Sequence, residues 1–329
     1  MQLRKIYYLM LIIPLLFFYT GCSDDDPTDP PVTVNEAEVL VKYLEENGDA
    51  VSIFPKMITA EAVFGAIGSD GLVVIDIRSA DAYNTGHIQG AVNVLENDVL
   101  GYYEANNLES KTTVVIACVT GQTAGWVNGL LRLAGKTNTF DLKWGMCSWN
   151  DETAGAWKGI ITDPNALDFV TTASSKPAEG SLPTLSTGET AGADILKARV
   201  DAIFVEGFGD AAITNATVYI NPANYFIVNY WNATDYGKGH IDGAMQYTPG
   251  ESLSLDADLK TLATDEEVVV YCYTGQTSAH VTAYLRVLGY NAKSLKYGVN
   301  DMNYDWAVQE NMTHFDAHYI MNYELVPTP

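Results

Sequence analysis

A motif that occurs twice restricts what this chain can fold into. The segments "VVIACVTGQTAGW" (114–126) and "VVVYCYTGQTSAH" (268–280) each place a cysteine between an apolar run and a turn of small residues. Two further pairs of segments keep the same order: "GHIQGAVNV" (86–94) with "GHIDGAMQY" (239–247), and "FDLKWG" (140–145) with "KSLKYG" (293–298). Self-similarity over about a hundred residues predicts two copies of one domain.

Each copy alternates helical patterns with short apolar strands. The helical segments "EAEVLVKYLEEN" and "ADILKARVDAIF" begin the copies, and the strands "LVVIDI" and "YFIVNY" follow them. Continuous Val/Ile strands that alternate with helices predict a parallel sheet covered on both faces. After each cysteine, apolar residues at i, i+4 and i+7 predict one helix, and Gly135 and Gly289 fit its C-terminal cap.

The N-terminus reads as a targeting signal. Arg4 and Lys5 precede an apolar run that is short for a membrane span, and "TGCSDDD" follows. Gly21 before Cys22 resembles the lipobox of bacterial lipoproteins, which implies lipidation of Cys22. The acidic segment after it resembles that of surface-exposed lipoproteins in some Gram-negative groups. We therefore expect a lipid anchor as the only membrane contact, at the outer membrane of a Gram-negative-type cell envelope, either periplasmic or surface-exposed.

Composition divides the rest of the chain into domains. A Ser/Thr/Pro/Gly-rich stretch without periodicity lies between the copies and reads as a linker. The predicted boundaries are a signal peptide at 1–21, an acidic tether at 22–34, domain 1 at 35–170, a linker at 171–192 and domain 2 at 193–329.

Charge and cysteine number limit the partners and the chemistry. The net charge of −23 argues against nucleic acid as a partner and against long-range steering of an anionic substrate. Any anion site must therefore be local. With Cys22 assigned to lipid, three cysteines remain, Cys118, Cys147 and Cys272. Three thiols do not make a disulfide framework, so at least one is expected to be free.

The position of the repeated cysteine indicates a nucleophile. Cys118 and Cys272 each follow a buried parallel strand, where ligand sites of α/β sheets cluster. Backbone N–H groups of the small-residue turn and the next helix N-terminus should surround the sulfur and stabilise its thiolate. A single such cysteine could equally be a small buried hydrophobe. Its recurrence at the same topological point favours the nucleophile.

These motifs resemble the rhodanese family in its two-domain form. Copy one carries the Asp-x-Arg strand end (Asp76 and Arg78), the Gly-His-Ile-x-Gly-Ala segment and a six-residue loop that begins with the cysteine. Copy two departs at the strand end, where Asn229 and Trp231 stand. The resemblance implies two α/β domains, each a parallel five-stranded sheet flanked by helices.

The resemblance also implies the reaction. A small donor, thiosulfate or a persulfide, gives a sulfane sulfur to a catalytic cysteine, and a thiol or cyanide acceptor removes it. No metal and no organic cofactor are needed. Cys272 is the preferred main site, because Tyr273 and Ser278 make its loop most like active members, and Cys118 is the second. The loop residues are Val119, Thr120, Gly121, Gln122 and Thr123, with Tyr273, Thr274, Gly275, Gln276 and Thr277.

Other candidates lie around these loops. The resemblance makes Asp76, Arg78 and both histidines of the Gly-His-Ile segments structural. Lys143 and Lys296 occupy equivalent places at strand ends and are candidate contacts for a bound anion. The alternative is that they are ordinary surface lysines with solvated side chains. Cys147 is either a redox partner of Cys118 or a small side chain packed between Trp144 and Trp149.

Two other functions could be built on a cysteine loop of this kind. A dual-specificity phosphatase would close its loop with an arginine that grips phosphate, whereas Thr123 and Thr277 end these loops and neither loop contains a basic residue. A non-catalytic sulfur-carrier or binding module stays open, although both copies keep the thiol. The neutral loops suit a persulfide donor better than thiosulfate.

Overall fold

Each repeat forms one parallel five-stranded sheet. In the computed structural model, which describes residues 35–48, 54–161 and 168–328, the strands are β1 (Met57–Ile58), β2 (Leu72–Asp76), β3 (Val92–Asn93), β4 (Thr113–Ala117), β5 (Thr139–Leu142), β6 (Ala212–Ile213), β7 (Phe226–Asn229), β8 (Met245–Gln246), β9 (Val268–Tyr271) and β10 (Ala292–Leu295). The sheet orders are β1-β5-β4-β2-β3 and β6-β10-β9-β7-β8, and the strand pairs are parallel. The predicted architecture is confirmed.

Helices connect the strands in both copies. They are α1 (Glu36–Glu46), α2 (Ala60–Ala66), α3 (Ala80–Thr85), α4 (Val99–Ala105), α5 (Gln122–Leu133), α6 (Gly155–Ile160), α7 (Gly192–Asp210), α8 (Asn215–Ile220), α9 (Ala233–Lys238), α10 (Gln276–Val287), α11 (Val299–Met302) and α12 (Tyr304–Gln309). Gly207 interrupts the helical geometry of α7 with a φ of 72°. The predicted signal peptide and the predicted tether, which includes Cys22, lie outside the described residues.

Alternate residues of β4 contribute to two different cores. Val114 and Ile116 face one core, and Val115 and Ala117 face another. Apolar side chains therefore point to both faces of the strand, which is why the sequence reads as an uninterrupted run. The first core also contains Val268 of β9. It is thus shared by the two copies.

Helices α5 and α10 pack against each other across the two copies. A Cβ added at Gly125 would lie 2.9 Å from the carbonyl oxygen of Gln276, and one added at Gly129 would lie 3.2 Å from Cβ of Ala283. These glycines allow the two helices to approach closely. Helix α5 is consequently buried on nearly all sides, whereas its sequence pattern predicted one apolar stripe.

The copies exchange short segments at their Gly-His-Ile motifs. Val170 pairs antiparallel with His240 in the second copy, and Val326 pairs antiparallel with His87 in the first copy. Residues 171–190 between the copies contain no helix or strand. Within the described part of the chain, no helix combines the length and apolarity needed to cross a membrane.

Candidate active site

The two cysteines occupy equivalent positions at strand ends. Cys118 follows β4 and Cys272 follows β9, and each loop leads into a helix at Gln122 or Gln276. The residue before each helix is a glycine in the left-handed region, Gly121 with φ 87° and Gly275 with φ 75°. Glycine adopts this conformation with the least strain, so each loop requires a glycine at this place.

Backbone N–H groups point at each sulfur, as predicted. The amides of Gly121 and Ala124 donate to Cys118 Sγ at 3.1 and 3.3 Å. The amide of Ser278 donates to Cys272 Sγ at 3.3 Å, and the Cys272 thiol lies 3.6 Å from Ser278 Oγ. The cysteine loop and the first turn of the helix after it therefore supply the expected N–H donors to the sulfur.

The expectation of a stabilised thiolate is wrong for Cys118. Burial raises the pKa of the Cys118 thiol to about 11, the N–H donors lower it only in part, and the Asp141 carboxylate raises it further. Removing the sulfur from water disfavours its charged form more than the cradle favours it. The loop pattern predicted the donors correctly but could not show the depth of burial.

The two thiols differ in the residue of the neighbouring strand. Asp141 of β5 stands near Cys118, and Ser294 occupies the equivalent place in β10. Ser294 shares a 2.8 Å hydrogen bond with Ser278, the residue beside Cys272. The second site thus has neutral hydroxyl groups where the first has a carboxylate and an alanine. Neutral donors do not oppose a developing thiolate as a carboxylate does.

A buried pair joins the first site to the second copy. His280 Nε2 of α10 lies 2.9 Å from Asp141 Oδ1, and Asn128 Nδ2 donates to the same oxygen at 2.9 Å. Both members of the pair have no exposed side-chain surface. Sequence reasoning did not single out either residue.

The strand ends are stabilised differently in the two copies. Asp76 binds the Arg78 guanidinium through several hydrogen bonds, and Arg78 also donates to the carbonyl of Gly86 at 2.8 Å. In the second copy, Asn229 donates to the Tyr271 hydroxyl at 2.7 Å. The structural role predicted for Asp76 and Arg78 agrees with these contacts.

Trp231 replaces the arginine with an aromatic wall. Its ring stacks on Tyr273, next to Cys272, with centroids 5.0 Å apart and planes 1° from parallel. The Tyr273 hydroxyl donates to Asp235 at 2.6 Å. Burial and this carboxylate raise the Tyr273 pKa. Tyr273 therefore acts as a fixed wall of the second loop, whereas Val119 at the same place in the first loop is exposed.

The histidines fix the turns that carry them. His87 Nδ1 contacts the Tyr83 carbonyl at 3.0 Å, and His240 Nδ1 contacts the Tyr236 carbonyl at 2.8 Å. Each imidazole also stacks on the same tyrosine. These matching contacts agree with a structural role.

A turn after the last strand of each copy holds the cysteine loop. The amide of Met146 donates to the Cys118 carbonyl at 2.8 Å, and that of Val299 donates to the Cys272 carbonyl at 3.3 Å. A Cβ at Gly145 would lie 2.5 Å from the Cys118 carbonyl oxygen, and one at Gly298 would lie 2.1 Å from that of Cys272. The repeated motif Lys-Trp/Tyr-Gly (143–145 and 296–298) is the only sequence feature that indicates this contact.

The two predicted anion contacts have different surroundings. Lys143 is half-buried over the rings of Trp144 and Tyr319, and it lines a cavity of about 200 Å³. Burial lowers the pKa of its ammonium group. Lys296 lies near Asp301 and does not line this cavity. Anion binding stays a prediction, and a donor KM left unchanged by Lys143→Gln would contradict it for the first copy.

The Cys147 thiol binds a partner other than Cys118, although its backbone amide donates to the carbonyl of Val119 in the Cys118 loop at 3.2 Å. Its thiol donates to the Thr153 carbonyl at 3.1 Å, and both cysteines are free. It packs with Trp144 and Trp157, and Trp149 belongs to a different core. The contacts therefore favour packing over a disulfide, but with a different tryptophan from the one predicted.

No metal centre accompanies the thiols in the part of the chain that the structure describes. Among those residues, no three His, Cys, Asp or Glu side chains are grouped so that they could hold an ion.

Comparison with known proteins follows the same division into two copies. The profile of the Rhodanese-like domain family matches residues 59–152 and 220–304, which is more than half of the chain. Thiosulfate sulfurtransferase of Pseudomonas aeruginosa is 26% identical over 270 residues, covering 73% of this chain and 90% of that protein. Thiosulfate sulfurtransferase GlpE of Pseudomonas entomophila is 30% identical over 90 residues, covering 27% of this chain and 81% of that protein.

A solved structure aligns over most of the chain. The crystal structure of thiosulfate sulfurtransferase from Pseudomonas aeruginosa covers 90% of this chain at 16% identity and a TM-score of 0.30, and this chain spans about half of it, 49%. The family assignment rests on the two profile matches instead, since each contains one cysteine loop at the end of a parallel strand. The chain belongs to the rhodanese-like domain family.

Proposed function

We propose that this protein is a sulfurtransferase that moves a sulfane sulfur through a persulfide on Cys272. The observation that carries the proposal is the position of Cys272 at a parallel strand end, where the amide of Ser278 donates to its sulfur and the thiol donates to the Ser278 hydroxyl. Once the thiol has lost its proton, the hydroxyl can donate to the sulfur as the amide does, and both groups then stabilise the negative charge of a thiolate or a persulfide.

The reaction consists of two displacements. The Cys272 thiolate attacks the outer sulfur of the donor, a new S–S bond forms, and the donor's S–S bond breaks with its electron pair leaving on sulfite or on a thiolate. The acceptor then attacks the terminal sulfur of the persulfide, and the Cys272 thiolate leaves. A thiol acceptor becomes a persulfide, and cyanide becomes thiocyanate. Two half-reactions on one nucleophile predict ping-pong kinetics.

The donor that suits this loop is a persulfide or polysulfide rather than thiosulfate. Neither six-residue loop contains a lysine or an arginine, and the whole chain carries a net charge of −23. A dianion such as thiosulfate would find little compensation for its lost hydration there. Lys143 is the candidate cation for the first copy, although Glu61 lines the same cavity and no residue of the Cys118 loop does.

Intact mass tests the proposal directly. Brief exposure to a polysulfide or to thiosulfate, followed by removal of the donor, should add about 32 Da, one sulfur, to the wild type and to Cys118→Ser. Cyanide should then remove the added mass as thiocyanate. A wild type that gains no mass from either donor would contradict a sulfurtransferase of this type.

A sulfur-carrier or binding module is the second candidate. The observation in its favour is burial, because Cys118 and Cys272 are only 4% and 2% exposed. A carrier should accept one sulfur and release it to a specific protein partner, without repeated turnover on small acceptors. Multiple turnovers with cyanide or a small thiol would therefore support the enzyme.

We also propose that the protein is held at the outer membrane of the cell envelope by a lipid on Cys22, outside the described residues. The support is the apolar run from Ile6 to Tyr19, the Gly21-Cys22 pair just after it and the acidic segment that follows Cys22. Cys22→Ala should lose lipid labelling and appear in the soluble fraction. Wild-type recovery in membranes with unchanged processing would contradict the anchor.

A further inference from the structure

A glutamine from each cysteine loop binds the other copy. Gln276 Oε1 accepts the backbone N–H of Trp144 at 2.7 Å, and Gln122 Oε1 accepts that of Tyr297 at 2.8 Å. Both glutamines are buried, and they occupy equivalent positions at the starts of α5 and α10. The two contacts are therefore related by the same pseudo-symmetry as the copies.

Each glutamine is also held within its own loop. Gln122 Nε2 donates to Thr120 Oγ1, and Gln276 Nε2 donates to Thr274 Oγ1, both at 3.1 Å. The amide is thereby oriented, because its nitrogen faces its own loop and its oxygen faces the other copy. A freely rotating amide would give no such direction to the contact.

The turn that each glutamine reaches is the turn that holds the other cysteine. Tyr297, bound by Gln122, is two residues before Val299, whose amide binds the Cys272 carbonyl. Trp144, bound by Gln276, is likewise two residues before Met146, whose amide binds the Cys118 carbonyl.

Tyr297 and Trp144 also share a costly backbone conformation. Tyr297 has a φ of 62° and Trp144 a φ of 66°. Bulky residues rarely adopt this region, so each turn depends on external support. The glutamine of the other copy supplies a hydrogen bond at that residue.

The glutamines touch the opposite loops directly as well. A Cβ added at Gly275 would lie 2.4 Å from Gln122 Oε1, and one added at Gly121 would lie 2.3 Å from Gln276 Oε1. Each amide therefore packs against the left-handed glycine that shapes the other sulfur cradle. Movement of one glutamine must disturb the opposite loop.

We propose that Gln122 is a positioning residue of the Cys272 site and that Gln276 is a positioning residue of the Cys118 site. Each thiol is then set in place by the copy that does not carry it, and neither copy holds a complete site alone. This inference rests on the proposed function only for its kinetic consequence. The effect of each glutamine on the cysteine loop of the other copy can be measured without a sulfur donor.

The kinetic test uses Cys118→Ser, in which Cys272 is the cysteine that remains in the two repeated loops. Adding Gln122→Met keeps an unbranched side chain but removes both hydrogen bonds of the amide. The matched control, Thr120→Val, removes only the bond within the first loop. Persulfide formation on Cys272 with a polysulfide should slow about tenfold for Gln122→Met and less than about threefold for Thr120→Val, as expected for one lost positioning hydrogen bond.

The donor-free test is hydrogen–deuterium exchange. Gln122→Met should speed amide exchange in peptides around 272–279 and 297–300, and Gln276→Met should speed it around 118–125 and 144–147. Equal acceleration in both copies, or acceleration confined to the mutated loop, would overturn the proposal. If one variant does not fold, its reciprocal carries the same test. If the two glutamine variants show this exchange pattern in the opposite copies but the wild type takes up no sulfur, only the proposed function is rejected.

Discussion

Cys272→Ser should lower sulfur transfer to cyanide by at least about a thousandfold, because the hydroxyl of serine cannot form a persulfide and the reaction loses its covalent intermediate. Cys118→Ser is the matched control, with the same atom change in the equivalent loop. It should keep most of the activity, since burial and Asp141 raise the pKa of Cys118 while Cys272 has hydroxyl groups beside its sulfur. Steady-state rates with a polysulfide donor measure both.

The activity that remains in Cys272→Ser should come from Cys118 and should depend on pH. The pKa of Cys118 is raised to about 11, so its thiolate fraction should increase about tenfold per pH unit between pH 7 and 9. Residual activity that does not change with pH would point to another nucleophile. Full activity in Cys272→Ser combined with loss in Cys118→Ser would reverse the order of the two sites.

His280→Ala should destabilise the folded protein by about 3–5 kcal/mol, the cost of leaving a buried charge without its partner. The variant leaves the Asp141 carboxylate buried beside Asn128, and Asp141 Oδ2 has no hydrogen-bond partner among the described residues. Because the pair joins β5 of one copy to α10 of the other, the loss should appear in the cooperative unfolding of both copies. Denaturant unfolding followed by tryptophan fluorescence measures it.

The control for this prediction removes the charge as well. Asp141→Ser introduces the residue that the second copy carries at the equivalent place, Ser294. The double variant with His280→Ala should recover much of the lost stability, because no unpaired carboxylate remains. A loss below about 1 kcal/mol in His280→Ala would show that the pair contributes little. No recovery in the double variant would show that the unpaired carboxylate is not the cause of the loss.

Local sequence pattern was enough to predict the sheets, the cysteine positions and the loop glycines. Uninterrupted Val/Ile runs indicate strands that are buried on both faces, and β4 and β9 lie between two cores. Gly121 and Gly275 have the positive φ that a tight turn before a helix requires. These features depend on residues near one another in the chain, so periodicity and turn chemistry report them.

The replacement of the Asp76–Arg78 pair was visible in the sequence, but its compensation was not. Asn229 and Trp231 could be read as a simple loss. Their partners Tyr271 and Tyr273 lie on the neighbouring strand and its loop. Side-chain packing between strands decides which substitutions compensate one another, and no local rule predicts that choice. The burial that raises the pKa of Cys118 also depends on packing between distant parts of the chain, so local sequence does not predict it either.

Only the folded chain shows how far the copies depend on each other. The sequence reads as two independent domains with a linker, yet Val170 pairs with the second copy and Val326 pairs with the first. Gln276 reaches a residue 132 positions away, and Gln122 one 175 positions away. Local propensity carries no information about contacts at such separations. They form because burying α5 against α10 brings together two loops that periodicity could place only within their own sheets.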